Sequence, residues 1–210
     1  MKLGIVGTGA MGRTLASYAL EEGPFAAVFL IEPKEPGCWP EERMDLLIDF
    51  SHPDALQGIY DYCRKQGANI PVVLATTGYG TQQETLVKLL EKICPVNRSS
   101  NYSQGIQIMT QLCRQAASLA GEKCDIRLTE IHHTKKKDAP SGTAKALSRV
   151  LGLDAADEKR VQSLRMGTVY GEHTVYFAMD DEILEIRHTA LSKKIFAIGA
   201  LEAGKKLLKH

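Results

Sequence analysis

The sequence predicts an α/β protein in which a parallel, doubly wound sheet is followed by a second domain of α+β type with a mixed sheet. Two observations support this prediction. Short apolar runs alternate with helix-like segments up to about residue 120, the pattern of parallel strands joined by crossover helices. After Cys124 the strand-like runs follow one another more closely, as hairpins do, around one further helix.

The first part contains five predicted strands. They cover residues 3–6, 26–31, 46–50, 72–75 and part of 92–98, and helices are expected over 13–22, around 53–66 and over 105–120. Three prolines and a glycine between residues 33 and 43 favour a compact connector without regular structure. Loops at the carboxyl ends of such strands are where ligands bind.

The second part is predicted to contain strands at 125–133, 160–169, 173–179 and 182–188, with a helix over 143–151. A last helix, 195–208, is rich in Ala and Leu and carries lysines near its C-terminus, where the helix dipole favours them. We expect it to return to the first domain. The predicted domains are therefore 1–103 plus 194–210, and 104–193.

The composition is that of an ordinary globular protein. The 26 Lys and Arg balance 25 Asp and Glu, so overall charge does not indicate a nucleic-acid or membrane surface. No run approaches the ~20 apolar residues of a membrane span, and no secretory signal is recognisable at the N-terminus. Five widely spaced cysteines favour reduced thiols over disulfides or zinc. We expect a cytoplasmic protein.

A glycine-rich turn follows the first predicted strand and opens the first helix. Gly7, Gly9 and Gly12 have the G-x-G-x-x-G spacing, and Glu32 ends the next strand 20 residues after Gly12. The glycines permit a tight turn, the approach of a pyrophosphate and close helix packing, while the carboxylate accepts hydrogen bonds from a ribose diol. The alternative is a tight turn beside a surface glutamate.

We interpret this segment as the dinucleotide-binding turn of a Rossmann-like domain. It predicts NADH or NADPH as cofactor, and whether Lys34 could meet a 2′-phosphate stays open. The expected cofactor-binding residues are Gly7, Thr8, Gly9, Ala10, Met11, Gly12 and Glu32.

Two polar loops follow later strands of the same predicted sheet. Ala75, Thr76 and Thr77 end one strand, and residues 99–102 follow the next. Alone they would be read as polar turns, but beside the glycine-rich turn they predict cofactor contacts, with the Tyr102 ring at the nicotinamide end. The second loop comprises Ser99, Ser100, Asn101 and Tyr102.

Residues 130–144 combine two histidines, three lysines and a helix start. Imidazoles titrate near neutral pH, and free N–H groups at a helix N-terminus attract anions. Ser141 is the expected N-cap, so Gly142 and Thr143 present N–H groups that suit a carboxylate. One alternative is a solvated basic loop. Another is a metal site, disfavoured because His132 and His133 face opposite sides of a strand.

The whole pattern resembles the dihydrodipicolinate reductase (4-hydroxy-tetrahydrodipicolinate reductase) family of diaminopimelate and lysine biosynthesis. Residues 130–144 look like that family's E-x-H-H-x-x-K-x-D-A-P-S-G-T-A signature at every defined position. Weaker matches occur at 7–12, 48–53, 75–78, 101–103, 165–173 and 196–200. The resemblance implies NAD(P)H-dependent reduction of a small cyclic dicarboxylate.

The resemblance also implies residue roles. His132 would exchange a proton with the substrate, Lys136 would donate one, and His133, Ser141, Gly142 and Thr143 would bind substrate. Lys135 and Lys137 would face water. The family has a Rossmann-like cofactor domain, a mixed-sheet domain that also assembles tetramers, and hinge closure, so a homotetramer is expected.

Several positions depart from the family pattern or stay open. The glycine-rich turn is one residue shorter than usual and the stretch after Glu32 is short, so this looks like a shortened form. Pro33 and Lys193 stand where arginines are common. We interpret residues 165–167 and 171–173, which include Arg165 and His173, as turn and strand-edge positions with a role in structure or subunit contact.

Three other functions stay open at this point. They are a dinucleotide-sensing module without catalysis, a metal-binding protein, and a different Rossmann-type reductase such as an amino-acid dehydrogenase.

Overall fold

The computed structural model describes residues 1–35 and 37–209, which form two units. The first consists of Met1–Tyr102 with Lys194–His210, and the second of Ser103–Lys193. Pro36 and His210, which belong to the predicted first domain, lie outside the described residues. Within the described ranges, no helix combines the length and apolar character needed to cross a bilayer.

Fifteen helices and strands follow one another along the part of the chain that the structure describes. In order they are β1 (Lys2–Val6), α1 (Ala10–Glu22), β2 (Ala27–Ile31), β3 (Leu46–Asp49), α2 (Ala55–Lys65), β4 (Val72–Leu74), α3 (Thr81–Glu91), β5 (Val96–Arg98), α4 (Gln104–Ala120), β6 (Asp125–His132), α5 (Gly142–Leu151), β7 (Val161–Arg165), β8 (Glu172–Ala178), β9 (Ile183–Thr189) and α6 (Lys194–Leu207).

The first unit is built on a five-stranded parallel sheet in the order β2-β1-β3-β4-β5. This is the Rossmann arrangement with one strand fewer on the β2 side, because the described part of the β2–β3 connection contains no helix or strand. The prediction of a Rossmann-like sheet with a shortened connector is confirmed.

Apolar side chains on both faces of this sheet are buried, as expected of parallel strands. Leu3, Ile5 and Ile48 pack with α1 and α6 on one face, and Leu47 and Leu74 pack with α2 and α3 on the other. The C-terminal helix therefore does return to the first unit, as the sequence indicates.

The second unit is a four-stranded mixed sheet in the order β7-β6-β8-β9. β6 is parallel to β7 and antiparallel to β8, which is antiparallel to β9. Helices α4 and α5 pack on the same core, where Leu128, Val175 and Phe177 are fully buried. The prediction of a mixed-sheet α+β domain is also confirmed.

One helix was absent from the sequence prediction. α3 buries only Val87 and Leu90 fully, and its first turn is Thr-Gln-Gln-Glu. Two buried positions among so many polar ones leave a weak helical periodicity, so the segment reads as a loop. Every other element was predicted, with ends that differ by a few residues, the usual uncertainty of helix and strand ends.

Candidate active site

The glycine-rich turn of the first unit has no spare room at two of its three glycines. A Cβ on Gly7, whose φ is +110°, would lie 2.5 Å from the Phe50 carbonyl oxygen, and one on Gly12 would lie 1.9 Å from the Gly7 oxygen. A Cβ on Gly9 would meet nothing within 4 Å. The turn is thus tightly packed inside and open at the N-terminus of α1, where an anion binds.

Glu32 lies where a ribose-binding carboxylate belongs in this fold. It directly follows β2, the neighbour of β1, and the Gly7 N–H donates to the Ile31 carbonyl at 2.8 Å. The Thr8 hydroxyl donates to Glu32 Oε2 at 2.6 Å. This bond orients the partly exposed carboxylate beside the turn, and the arrangement of turn and acid fits a dinucleotide.

The loops after β3 and β4 enclose a cavity of about 390 Å³. Its walls include Met11, Ala75, Thr76 and Thr77, four of the predicted cofactor residues, together with residues 50–53. The Ser51 N–H donates to Asp49 Oδ1 and to Thr76 Oγ1, both at 3.0 Å, so the two loops are tied together. Thr76 is buried, whereas Thr77 is exposed.

Tyr102 differs from its expected role. Its ring is 3% exposed and packs in the core with Ala197 and Leu201, so it does not line an open site. The hydroxyl donates to Asn97 and Leu74 carbonyl oxygens at 3.0 and 3.2 Å. Because these bonds satisfy the side chain internally, we correct the prediction of a ring contact with the cofactor. Ser99, Ser100 and Asn101 precede it in a partly exposed loop.

The second unit places Glu130 and His132 on the same face of β6, since alternate residues of a strand share a face. Glu130 is fully buried and His132 is 8% exposed. Glu130 Oε2 and His132 Nδ1 form a short hydrogen bond. The other carboxylate oxygen accepts from Arg165 Nη2 at 2.8 Å and from the Ser141 N–H at 3.2 Å.

These partners keep Glu130 ionised. Burial by itself raises the pKa of a carboxyl, but the hydrogen bonds from His132 and Arg165 outweigh it and hold the pKa of Glu130 at about 2. Arg165 also donates to the Asp138 carbonyl oxygen at 2.5 Å, which ties β7 to the loop before α5. Arg165 is thus the last residue of β7, at the edge of the sheet, and its structural role is to pair with a buried carboxylate.

His173 completes this buried group from β8. Its ring meets that of His132 edge-on, with centroids 5.2 Å apart, and its Nε2 lies 3.2 Å from Ser141 Oγ. Burial, together with the neighbouring His132, lowers the pKa of His173 to about 3, so it stays neutral near pH 7. His173 is thus a buried neighbour of the site and not a strand-edge residue of the periphery.

A second, more open group lies around His133 and Lys136. Burial and the positive charges of Lys193 and Lys136 lower the pKa of His133, and its Nδ1 is buried without a hydrogen-bond partner among the described residues. Lys136 Nζ lies 2.8 Å from Asp138 Oδ1 and its side chain is 22% exposed. Lys135 and Lys137 are exposed, as expected. The group carries the charge that attracts a carboxylate.

The N-terminus of α5 adds backbone N–H groups. Ser141 is the N-cap, as predicted, and its Oγ accepts from the Ala144 N–H at 3.1 Å. Gly142 and Thr143 are the first two helical residues, and N–H groups in this position point out of the helix end. Gly142 is exposed and Thr143 is buried.

Glu130, His132 and His173 offer ligand atoms within 4.8 Å of one another, a spacing that suits a metal ion. His133 is not one of them. The Arg165 guanidinium already holds one oxygen of Glu130. The positive charge of Arg165 would repel a metal ion bound to the same carboxylate, so the charges favour a hydrogen-bonded network over a metal site.

Three residues of this network were not predicted as site residues: Glu130, Arg165 and His173. Glu130 was seen only as part of a signature, although its spacing of two from His132 on one strand puts both on one face. For Arg165 and His173 the sequence offers only the weaker match at 165–173, because it is sheet pairing with β7 and β8 that brings them to Glu130.

Comparisons with known proteins agree on one family. The models described as Dihydrodipicolinate reductase, C-terminus and N-terminus, match residues 105–210 and 38–102. The 4-hydroxy-tetrahydrodipicolinate reductase of Thermosipho africanus is 38% identical over 99% of this chain and 92% of its own. That of Exiguobacterium sibiricum is 39% identical over 99% of this chain and 91% of its own.

A solved structure shows the same fold. Dipicolinate-bound dihydrodipicolinate reductase from Paenisporosarcina sp. superimposes with a TM-score of 0.76 at 18% identity, over 100% of this chain and 95% of that chain.

Proposed function

This chain belongs to the dihydrodipicolinate reductase family, and on that premise we propose how its residues carry out the reaction. It is an NAD(P)H-dependent oxidoreductase that reduces 4-hydroxy-tetrahydrodipicolinate to tetrahydrodipicolinate in diaminopimelate and lysine biosynthesis. The observation that supports the residue roles most directly is that a buried carboxylate holds His132. Its neighbour in the chain, His133, lies near enough to the Lys136 ammonium for that charge to lower its pKa.

The first unit is assigned to the cofactor. Residues 7–12 and Glu32 would hold the pyrophosphate and ribose. The cavity wall formed by residues 75–77 would hold the nicotinamide end, together with the loop 99–101 that follows the neighbouring strand β5. When bound, the reduced nicotinamide supplies a hydride to C4 of the conjugated cyclic imine that forms when water leaves the 4-hydroxy compound. The protein binds, orients and transfers protons.

The second unit is assigned to the substrate. Lys136, His133 and the N-terminus of α5 at Ser141, Gly142 and Thr143 would hold its carboxylates, which favours the electron-poor ring that accepts hydride. His132 would then protonate the resulting enamine, since it is the imidazole fixed by the buried network. Lys136 must exchange its Asp138 partner for the substrate, or share it.

The assay that tests this function follows NADH or NADPH oxidation, with the substrate generated in the cuvette by the preceding synthase. We expect oxidation that depends on the synthase product. Cofactor binding without oxidation would instead indicate a dinucleotide-sensing protein, and oxidation with an amino or keto acid would indicate another reductase. The ratio of the NADH and NADPH rates gives the cofactor preference.

Replacing Glu32 by alanine is expected to weaken NADH binding by about 10- to 100-fold, because charge-assisted hydrogen bonds to the ribose diol are worth roughly 1.5–3 kcal/mol. The value of kcat at saturating NADH should change little, since the proposed role of Glu32 is to bind the ribose and not the reacting nicotinamide. Fluorescence titration gives the dissociation constant, and Glu35→Ala on the exposed connector is the matched control. An unchanged constant would exclude the ribose role.

We also propose a homotetramer assembled through the second unit. α4 and β9 enclose a groove of about 420 Å³ lined mainly by apolar side chains, of which Leu112, Leu119 and Leu184 are 48%, 81% and 47% exposed. Such a patch marks an interaction surface, here for another copy of the chain.

The five free thiols support a cytoplasmic location.

Light scattering should therefore give a mass about four times the 23.1 kDa of one chain. The double variant Leu119→Glu with Leu184→Glu should shift this mass to smaller species, because buried charges oppose association. Leu20→Glu, on an exposed leucine of α1 in the first unit, is the control and should leave the mass unchanged. A monomeric wild-type protein would contradict the proposal.

A further inference from the structure

We propose that Glu130 is a positioning residue that fixes the tautomer of His132, so that Nδ1 carries a proton permanently and Nε2 is the nitrogen that exchanges a proton with the substrate. The inference rests on the proposed acid–base role of His132. It assigns to the buried carboxylate a task in the reaction beyond holding the strands together.

The charge state of Glu130 follows from its surroundings. The side chain is fully buried, and an unpaired carboxylate there would be strongly destabilised. Arg165 from β7 supplies a positive charge at 2.8 Å, and the Ser141 N–H a further donor at 3.2 Å. The compensated carboxylate is an anion, and an ionised carboxylate can only accept hydrogen bonds.

The protonation of His132 follows from that of Glu130. Since Glu130 Oε2 can only accept, Nδ1 of His132 must donate in both the neutral and the charged ring. A neutral His132 therefore has its lone pair on Nε2. The ring of His173, on β8, lies edge-on to it and is neutral, so it offers no competing charge.

Space at Nε2 supports the same assignment. A Cβ built on Gly171, just before β8, would lie 3.0 Å from His132 Nε2, tighter than most real contacts. The glycine thus leaves room at the nitrogen that must meet a substrate atom. The positive charges of Arg165 and Lys136 are paired with Glu130 and Asp138, respectively.

The two oxygens of Glu130 differ in their partners, which makes Glu130→Gln a sharp test. One oxygen accepts from two donors, Arg165 and the Ser141 N–H, and the other accepts from His132 Nδ1. The Ser163 hydroxyl also lies near this carboxylate. A glutamine must turn its single oxygen toward the two donors, so its NH₂ group faces Nδ1. Nδ1 is then forced to accept, and the neutral ring takes the Nε2–H tautomer.

The first measurement needs no variant. Side-chain ¹⁵N–¹H correlation spectra of His132, taken above the pH at which the ring loses its charge, are expected to show the Nδ1–H form in the wild-type protein. Finding the Nε2–H form there would overturn the proposal, whatever the enzyme reduces. If His132 plays no part in the reaction, His132→Gln retains activity while the tautomer result stands, so the two proposals fail separately.

The second measurement uses Glu130→Gln, with Glu122→Gln on the exposed α4–β6 turn as the matched control. We expect the Nε2–H form and a kcat lowered at least tenfold, with an unchanged KM for NADH, as when a carboxylate that orients a catalytic histidine is made an amide. Wild-type kcat, or a lost kcat with the Nδ1–H form retained, would overturn the proposal. If the variant does not fold, the tautomer of His132 in the wild-type spectrum is the test of the proposal.

Discussion

Replacing His132 by glutamine is expected to lower kcat by about 100-fold or more, the scale of a positioned acid–base group. Glutamine keeps a polar side chain of similar reach but does not titrate near neutral pH, so it cannot protonate the enamine. NADH binding should be unchanged, because the predicted cofactor residues lie in the other unit. Steady-state kinetics with a fluorescence titration separate the two quantities, and an active variant would remove His132 from the mechanism.

Lys136→Met is expected to reduce turnover on a similar scale, since it removes the ammonium proposed to neutralise a substrate carboxylate. The chain offers two matched controls, because Lys135 and Lys137 are exposed neighbours with the same side chain. Lys135→Met and Lys137→Met should keep at least half of the wild-type activity. Equal losses in all three variants would indicate that only the general positive charge of the loop matters.

A third large effect concerns stability. Arg165→Met is expected to lower the free energy of unfolding by about 3–5 kcal/mol near pH 7, the cost of leaving a buried charge without its partner. Glu130 is fully buried and Arg165 Nη2 is its cationic donor. Urea unfolding gives this quantity, with Arg149→Met as the control, because Arg149 is exposed on α5 and its loss should stay within about 0.5 kcal/mol.

The pH dependence of this difference follows from the pKa of Glu130. Because the folded state holds that pKa at about 2, below the ordinary value of 4.5, the carboxylate stabilises the wild type above about pH 5 and less as the pH falls toward 2. In the variant the unpaired carboxyl gains stability on protonation. The two proteins should therefore differ most near neutral pH and converge on acidification, and a constant difference would argue against an ionised Glu130.

Much of the first unit could be predicted because its signals are local. Gly7, Gly9 and Gly12 are predicted from their spacing, and the structure shows a steric reason for Gly7 and Gly12 and open space at Gly9. Glu32 follows a strand that must pair with the strand before the turn, so its place beside Thr8 was predictable. α3 was missed because only two of its residues are fully buried.

The second unit was less predictable, because its network is assembled across strands. Glu130 and His132 are two residues apart, but Arg165 reaches Glu130 across 35 positions and Ser141 reaches His173 across 32. Tyr102 is an error in the other direction, a residue predicted to line the site that does not do so. A tyrosine in a polar loop is expected to be exposed, but the tertiary structure buries this one in the core.

The sequence by itself determined which chemical groups the protein has, the order of helices and strands, and the turns whose function depends on a few consecutive residues. The tertiary structure alone decided which of these groups share one environment. Backbone turns and caps depend on neighbours a few positions away. The charge state of Glu130 and the tautomer of His132 depend on burial and on partners from other strands, which exist only after the sheet has formed.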